Sequence, residues 1–332
     1  IPLGGWESAR NVRFHNNYIE RIREPAQLIA TVQPGEWLQL YEDTNGPRQA
    51  YASQGKLYRR TLDGLAWDDV TNPAVGTHSD GEWQSFQYGT SVVFNNGIEP
   101  PQILYSNAAT FVELPNWGLV TQVEGEAPVQ LAVTCRSIRL FGVYMVAMDV
   151  TIDGVRSQNG VWTSDPAIID NVTQDSEMPS WDYASPATRS SLNYIGVEYG
   201  AIVDGLELNN NFFINTRESA HVLQLVGGQF TFANRKALPY GLVSLGAVVS
   251  YNNFHFCIGP STIFIHDGST VREIADARVN RQFYTNLQEL GNIRCTENQE
   301  YKEIHALFDS VVGRGYLIYN YADDNLSFGD AT

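Results

Sequence analysis

Short apolar runs separated by turn residues recur along the whole chain. Runs rich in Val, Ile, Tyr, Phe and Thr flank Asn-Gly or Asp-Gly pairs, as residues 261–265 and then Val271 and Ile274 do around one pair. Asparagine, aspartate and glycine accept the positive φ of two-residue hairpin turns, so the pattern predicts antiparallel hairpins and an all-β fold. The eight pairs are Asn45-Gly46, Asp63-Gly64, Asp80-Gly81, Asn96-Gly97, Asp153-Gly154, Asn159-Gly160, Asp204-Gly205 and Asp267-Gly268.

The hairpins group into six units of about 40 residues, close to the length of a four-stranded propeller blade. A two-sheet sandwich would have to hold roughly 24 strands, which is many for that architecture. The sequence therefore predicts a single β-propeller domain over residues 1–332, with about six four-stranded blades. The predicted blades are 37–72, 83–117, 132–172, 197–236, 243–276 and 293–330.

Residues 1–24 precede the first predicted blade and contain no complete sheet. Residues 11–22 have the pattern of a hairpin around His15-Asn16-Asn17. If these strands joined the last blade, they would remove an exposed sheet edge. We therefore expect the amino-terminal strands to close the propeller.

Two segments depart from the hairpin pattern. Apolar residues at helical spacing across 277–290, followed by Gly291, predict one short amphipathic helix. The stretch 171–191 is rich in Ser, Pro, Asp and Thr and predicts a long loop, a kind of segment that is often functional. Aromatic residues on these two segments are candidates for contacts with other subunits or partners. They are Trp181, Tyr183 and Phe283.

Acidic side chains outnumber basic ones, with 37 Asp and Glu against 21 Lys and Arg and a formal net charge of −16. Surfaces that bind nucleic acid through its phosphates need clustered cations, so this balance argues against such a surface. Hydrophobic residues make up 43% of the chain, enough for a packed core. No apolar run approaches the roughly 18–20 residues of a membrane helix and no secretory signal opens the sequence, so we expect a soluble protein.

The sequence carries no recognisable motif for catalysis or for a cofactor. It lacks a Gly-x-Ser-x-Gly elbow and a phosphate-binding Gly-x-x-x-x-Gly-Lys loop. The six histidines stand in no metal-ligand spacing, and His255 and His266, in adjacent predicted strands, are expected to have a hydrogen-bonded structural role. Cys135, Cys257 and Cys295 are expected to be free core thiols. We therefore expect no enzyme activity, no metal and no cofactor.

Two further groups of residues could have a functional role instead of a structural one. Asp68-Asp69 and Asp323-Asp324 could form catalytic carboxylate couples, although both fall at predicted turns, where solvated charge is ordinary. Several tryptophans near strand ends are expected to pack between blades, with sugar-binding platforms as the alternative. These are Trp37, Trp67, Trp83, Trp117 and Trp162.

A series of phrases runs in order along the chain. It opens with Leu3-Gly4-Gly5-Trp6-Glu7-Ser8-Ala9-Arg10-Asn11-Val12-Arg13-Phe14. It continues with 86–89 (FQYG), 93–97 (VFNNG), 161–166 (VWTSDP), 227–232 (GGQFTF), 263–268 (IFIHDG) and 316–321 (YLIYNY). The series resembles the packaged-DNA-stabilisation proteins, or tail hub or nozzle proteins, of short-tailed bacteriophages. The family's turn after the opening phrase usually carries Asp-Gly, whereas this chain has Asn16-Asn17, which tolerates the same left-handed backbone.

The resemblance implies a structural viral protein without catalytic residues. Members of this family form a β-propeller that assembles as a ring, expected to be a homohexamer, below the portal and adaptor. The ring forms the tail channel, retains packaged DNA and conducts it during ejection. The expected partners are copies of the chain, the portal and adaptor, and other tail proteins, with no membrane partner. The expected location is the virion tail, after assembly in the host bacterial cytoplasm.

The charge of the chain agrees physically with a DNA channel. Six copies at −16 each would carry about −96. Acidic walls repel phosphates, so DNA would pass through the channel without specific binding.

Two other functions stay open at this point. A carbohydrate-binding or glycan-cleaving propeller would have a pocket lined by carboxylates and tryptophans, and would be competent as a monomer. A propeller scaffold of cellular origin would bind peptides on its top face and would form no ring.

Overall fold

Antiparallel β-strands account for most of the chain in a computed structural model. The structure describes residues 12–15, 18–21, 35–61, 64, 66–123, 125–167, 178–226, 232–288, 293–311 and 313–331. The predicted amino-terminal hairpin consists of β1 (Val12–His15) and β2 (Tyr18–Arg21), which pair antiparallel with His15 opposite Tyr18.

Six four-stranded sheets follow one another along the chain, and within each sheet the strands are neighbours in sequence order. This is the architecture of a six-bladed β-propeller, which confirms the predicted fold class.

The first three blades and a small intervening sheet contain strands β3 to β16. Blade 1 contains β3 (Trp37–Asp43), β4 (Gly46–Ser53), β5 (Lys56–Thr61) and β6 (Asp68–Asp69). Blade 2 contains β7 (Gln84–Tyr88), β8 (Ser91–Asn95), β9 (Gln102–Leu104) and β10 (Val112–Glu113). The small sheet contains β11 (Leu119–Val120) and β12 (Val129–Gln130). Blade 3 contains β13 (Val133–Phe141), β14 (Tyr144–Ile152), β15 (Val155–Thr163) and β16 (Ser191–Tyr194).

The last three blades contain strands β17 to β28. Blade 4 contains β17 (Ile202–Leu208), β18 (Asn211–Thr216), β19 (Ala220–Leu225) and β20 (Phe232–Leu238). Blade 5 contains β21 (Val248–Tyr251), β22 (Phe254–Ile258), β23 (Ile263–His266) and β24 (Val271–Glu273). Blade 6 contains β25 (Ile293–Asn298), β26 (Glu303–Ser310), β27 (Gly313–Asn320) and β28 (Asn325–Ala331).

Contacts within the chain group it into two compact units. Unit 1 comprises residues 1–28, 206–223 and 235–332, and unit 2 comprises residues 29–205 and 224–234. Each unit has buried apolar clusters of its own. One in unit 1 is centred on Phe256 and Tyr319, and one in unit 2 is centred on Trp162.

Central strands of the blades are mostly buried, because both of their faces are covered. All five residues of β8 are buried, whereas both residues of the outer strand β6 are exposed. A strand buried on both faces loses the alternation of polar and apolar residues, and short charged outer strands protect a sheet edge from pairing with other chains.

Several two-residue hairpin turns use residues other than the eight predicted pairs. Of those eight, Asp153-Gly154 forms such a turn, with φ of 48° and 79°. The same left-handed backbone occurs in the turns Gln54-Gly55, Asn209-Asn210 and Asn252-Asn253. Two predicted pairs, Asn159-Gly160 and Asp204-Gly205, lie inside strands β15 and β17 and are not turns. Composition alone does not distinguish a turn from a strand at these pairs.

The third blade differs from its predicted range of 132–172. Its fourth strand, β16, pairs with β15 and begins at Ser191, after the long predicted loop. That loop therefore connects two strands of one blade. Within it, residues 168–177 lie outside the described part of the chain.

The predicted helix is present as α1 (Ala277–Asn286), a little shorter than the predicted 277–290. Asp276 caps its first turn by accepting hydrogen bonds from the backbone N–H groups of Arg278 and Val279. The chain is already extended at Leu287, and the predicted stop at Gly291 lies outside the described residues. No helix in the described part of the chain is long and apolar enough to cross a membrane.

The amino-terminal hairpin lies beside the last blade. β1 is near β27 and β28. Within the described residues, β1 and β2 form a separate two-stranded sheet, and blade 6 takes its four strands from 293–331 alone. The hairpin therefore does not extend the hydrogen-bonded ladder of blade 6, contrary to the expectation that it would supply strands to it.

Candidate functional site

The three predicted contact residues differ in exposure. Trp181 and Phe283 are 0% and 1% exposed, whereas Tyr183 is 37% exposed. Trp181 and Phe283 are therefore core residues, which corrects the expectation that their side chains contact a partner. For Tyr183 the contact role stays a prediction.

Trp181 is buried because it completes an aromatic cluster inside unit 2. Its ring lies edge-on to the rings of Trp117 and Trp162, with centroid separations of 4.6 and 6.0 Å. The indole Nε1 of Trp162 donates a 2.9 Å hydrogen bond to the carbonyl of Trp181. The cluster fastens the described part of the long loop to blade 3.

Three of the other tryptophans pack in apolar clusters that join neighbouring blades, as expected. Trp83, Trp117 and Trp162 are buried and offer no ring face to a sugar. Trp37 and Trp67 are half-buried, and the Arg60 guanidinium lies 4.8 Å from the Trp67 ring centre.

His255 and His266 meet across β22 and β23, as the sequence predicted, with ring centroids 5.0 Å apart. His255 Nε2 hydrogen-bonds to the Glu207 carbonyl, and His266 Nδ1 accepts from the N–H of Gly268. Burial, together with the neighbouring His255, lowers the pKa of His266 to about 3, so this ring is neutral. Among the described residues, no group of three or more His, Cys, Asp or Glu could hold a metal ion.

The cysteines are free thiols with little access to solvent. Cys135 and Cys257 are buried and Cys295 is half-buried. Burial raises the pKa of all three thiols, which keeps them protonated and unreactive.

The two acidic pairs lie in different surroundings. Asp68 and Asp69 form the exposed strand β6, which corrects the predicted turn. Asp324 accepts hydrogen bonds from Arg272 and Tyr319. Its charge is thus matched by a neighbouring cation.

A polar network along the first strands of blades in unit 2 was not evident from the sequence. Asp204 on β17 accepts hydrogen bonds from Ser137 at 2.7 Å and from the Arg139 guanidinium at 2.7 and 3.0 Å. Gln84 Oε1 on β7 lies 3.1 Å from the same Ser137 hydroxyl and accepts a hydrogen bond from the backbone N–H of Ile138. Burial alone would raise the pKa of Asp204, but Arg139 and Ser137 together hold the pKa of that carboxyl below its usual range.

Three adjoining cavities in unit 1 form a groove along hairpin turns of blades 4, 5 and 6. Their volumes are about 610, 590 and 420 Å³, and all three share Asn252. Tyr251 and Tyr321 each line two of them. We call this feature the tyrosine groove, and its principal lining residues are Asn209, Tyr251, Asn252, Phe254, Glu297 and Tyr321.

Two aromatic rings of the tyrosine groove pack against a third at tilted angles. The Tyr251 ring lies 6.0 Å from Phe254 and 4.9 Å from Tyr321, with interplanar angles of 31° and 34°. The hydroxyl of Tyr321 donates a 3.1 Å hydrogen bond to Glu297. Sequence reasoning missed this group because Tyr321 comes from a different hairpin than Tyr251 and Phe254.

A planar polar cluster lies beside the rings. The Arg272 guanidinium binds both carboxylate oxygens of Asp324, at 2.6 and 2.9 Å, and also contacts the hydroxyl of Tyr319. Arg272 holds the pKa of Asp324 below its usual range, so the carboxylate is charged at neutral pH. Planar side chains held in this way present fixed hydrogen-bonding edges.

Comparisons with known proteins give information on the fold alone. No protein-family model matches the sequence, and no curated protein matches it. A solved structure of a putative 6-phosphogluconolactonase from Bacteroides fragilis is similar, with a TM-score of 0.53, 10% identity, and coverage of 96% of this chain and 88% of that chain. YCF48 from Cyanidioschyzon merolae has a TM-score of 0.46, 12% identity, and coverage of 80% and 78%. The chain is a six-bladed β-propeller protein, and identities this low carry nothing about activity.

Proposed function

We propose that the protein is a structural component of a bacteriophage tail, a hub or nozzle subunit. Six copies form a ring-shaped channel below the portal and adaptor, and the ring retains packaged DNA and conducts it during ejection. The role is mechanical and not catalytic. Its partners are copies of itself, the portal and adaptor, and other tail proteins of the virion.

The observation that carries the proposal is the ordered series of phrases that resembles those of tail hub proteins. The series extends from 3–14 to 316–321, and the chain has the propeller fold that the resemblance implies. Two of its phrases, 263–268 and 316–321, include residues of β23 and β27, the third strands of blades 5 and 6.

The charge of the chain supports conduction of DNA. A net charge of −16 disfavours adhesion to phosphates. A channel for rapid ejection requires that DNA does not adhere to its wall. A lumen lined mainly by Lys and Arg would contradict this part of the proposal.

DNA retention is the direct test of this function. Particles of the parent phage assembled without this protein are expected to lose packaged DNA to added nuclease, and the purified chain is expected to restore retention. A heat-unfolded sample of the same chain serves as the matched control. Particles that keep their DNA and infect normally without the protein would overturn the proposal.

A further inference from the structure

We propose that the tyrosine groove of unit 1 is a binding site for a neutral oligosaccharide. The site is separate from the proposed channel function and does not depend on it. Its cavities of about 610, 590 and 420 Å³ fall within the usual range for ligand sites, roughly 300–1,000 Å³. Because the cavities adjoin at Asn252, the groove has room for more than one sugar ring.

The aromatic rings supply the apolar half of sugar recognition. Phe254 is 37% exposed and Tyr321 is half-buried, and both rings pack against the buried Tyr251 ring at interplanar angles of 31° and 34°. The C–H face of a pyranose ring is flat and apolar, so it packs against such rings, while its hydroxyls remain at the rim.

Amide side chains at the rim supply the polar half. Asn209, Asn210, Asn252 and Asn253 are exposed in two-residue turns with φ between 40° and 63°. An amide both donates and accepts hydrogen bonds, as a sugar hydroxyl does. Tight hairpin turns hold these amides on a rigid scaffold, which lowers the entropy lost on binding.

The charges of the groove select against anionic ligands. Arg272 is already engaged by Asp324, and the Asp267 carboxylate accepts hydrogen bonds from Ser269 and Thr270. Glu207 and Glu297 line the groove together with a single lysine, Lys302. A phosphate or a nucleic acid would meet net negative charge here, whereas a neutral glycan would not.

Saturation-transfer NMR and calorimetry test the proposal on the full chain. The probes are maltohexaose, cellohexaose, xylohexaose and chitohexaose. At least one is expected to bind with a Kd of about 1 mM or tighter. Phe254→Ala and Tyr321→Ala are each expected to weaken that binding about tenfold, because each removes a stacking face.

Matched variants distinguish a loss of ring stacking in the groove from a general loss of folded structure. Tyr321→Phe keeps the ring and is expected to bind within about twofold of the unsubstituted chain. Tyr194→Ala removes a tyrosine that is 54% exposed in unit 2 and is expected to leave binding unchanged. All variants are compared only after circular dichroism and thermal unfolding match those of the unsubstituted chain.

Three outcomes would overturn the proposal. One is that none of the four hexasaccharides binds. A second is that binding survives both Phe254→Ala and Tyr321→Ala in folded protein. The third is that a lysine-rich peptide binds at the groove and no oligosaccharide does, which would identify a peptide site.

Discussion

Asp204 and Asp324 each pair with an arginine, but their surroundings differ. The Asp204 carboxylate and its partner Arg139 are 1% and 13% exposed, whereas the side chains of Asp324 and Arg272 are 54% and 52% exposed. Removing one partner of a buried pair leaves an uncompensated charge away from water, while an exposed charge regains its hydration. The two pairs therefore allow the stability contribution of a buried ion pair to be compared with that of an exposed one.

Asp204→Ala is expected to reduce the free energy of unfolding by about 3–5 kcal/mol, because Arg139 is left buried and unpaired. Asp324→Ala is expected to cost less than about 1 kcal/mol. Urea unfolding at pH 7 measures both. Equal costs for the two substitutions would contradict the burial argument.

The Asp204 carboxylate is also expected to make the stability of the fold depend on pH. The pKa of Asp204 is lower in the folded than in the unfolded chain, so its contribution is present above about pH 4 and is lost as pH falls through the folded value. Asp204→Asn is expected to flatten the stability curve between pH 5 and pH 2 relative to the unsubstituted chain. Urea midpoints across this range provide the measurement, and parallel curves would contradict the assignment.

The sequence could not reveal the role of Asp204. Asp204-Gly205 has the composition of a hairpin turn, and its partner Arg139 is 65 residues away in the chain. A turn and a buried ion pair use the same residue types, and only the tertiary fold distinguishes them. By contrast, the His255–His266 contact was predictable because one hairpin brings both residues together.

Among the elements, the long loop of blade 3 depends on one buried anchor. Trp181→Ala is expected to lower the free energy of unfolding by about 3–5 kcal/mol through the cavity it leaves. Tyr183→Ala, at a side chain 37% exposed, is expected to cost about 1 kcal/mol or less. Denaturant unfolding compares the two, and a larger cost at Tyr183 would show that the loop is anchored differently.

Helix α1 begins at a side-chain cap. Asp276→Ala is expected to destabilise the helix by about 1 kcal/mol, because it removes the capping oxygen. Asp276→Asn retains a capping oxygen and is expected to change the stability by only a few tenths of about 1 kcal/mol. Amide exchange of residues 280–286 reports the difference. If the two variants exchanged equally, the cap would have no role.

Sequence periodicity predicted the start of α1 well but not the extent of blade 3. The helix has an apolar spacing and an aspartate before its first turn, and both are local signals. β16 has only four residues and follows a long loop, so nothing local connects it to β15. Strand pairing across a long insertion is decided by packing, here by the tryptophan cluster.

For the whole molecule, hairpin spacing was enough to predict a six-bladed propeller. The tyrosine groove was not predictable, because Tyr321 comes from a different hairpin than Tyr251 and Phe254 and packs against them only after folding. The proposed tail function depends on assembly, which involves several copies of the chain and its partners and is not a property of one chain alone.

The most direct measurement of the central claim is the native mass, by light scattering with negative-stain imaging, of the protein alone and mixed with portal and adaptor. We expect a ring with a central hole and six copies of the 37.0 kDa chain, about 222 kDa, alone or on the adaptor. A stable monomer that assembles under neither condition would contradict it.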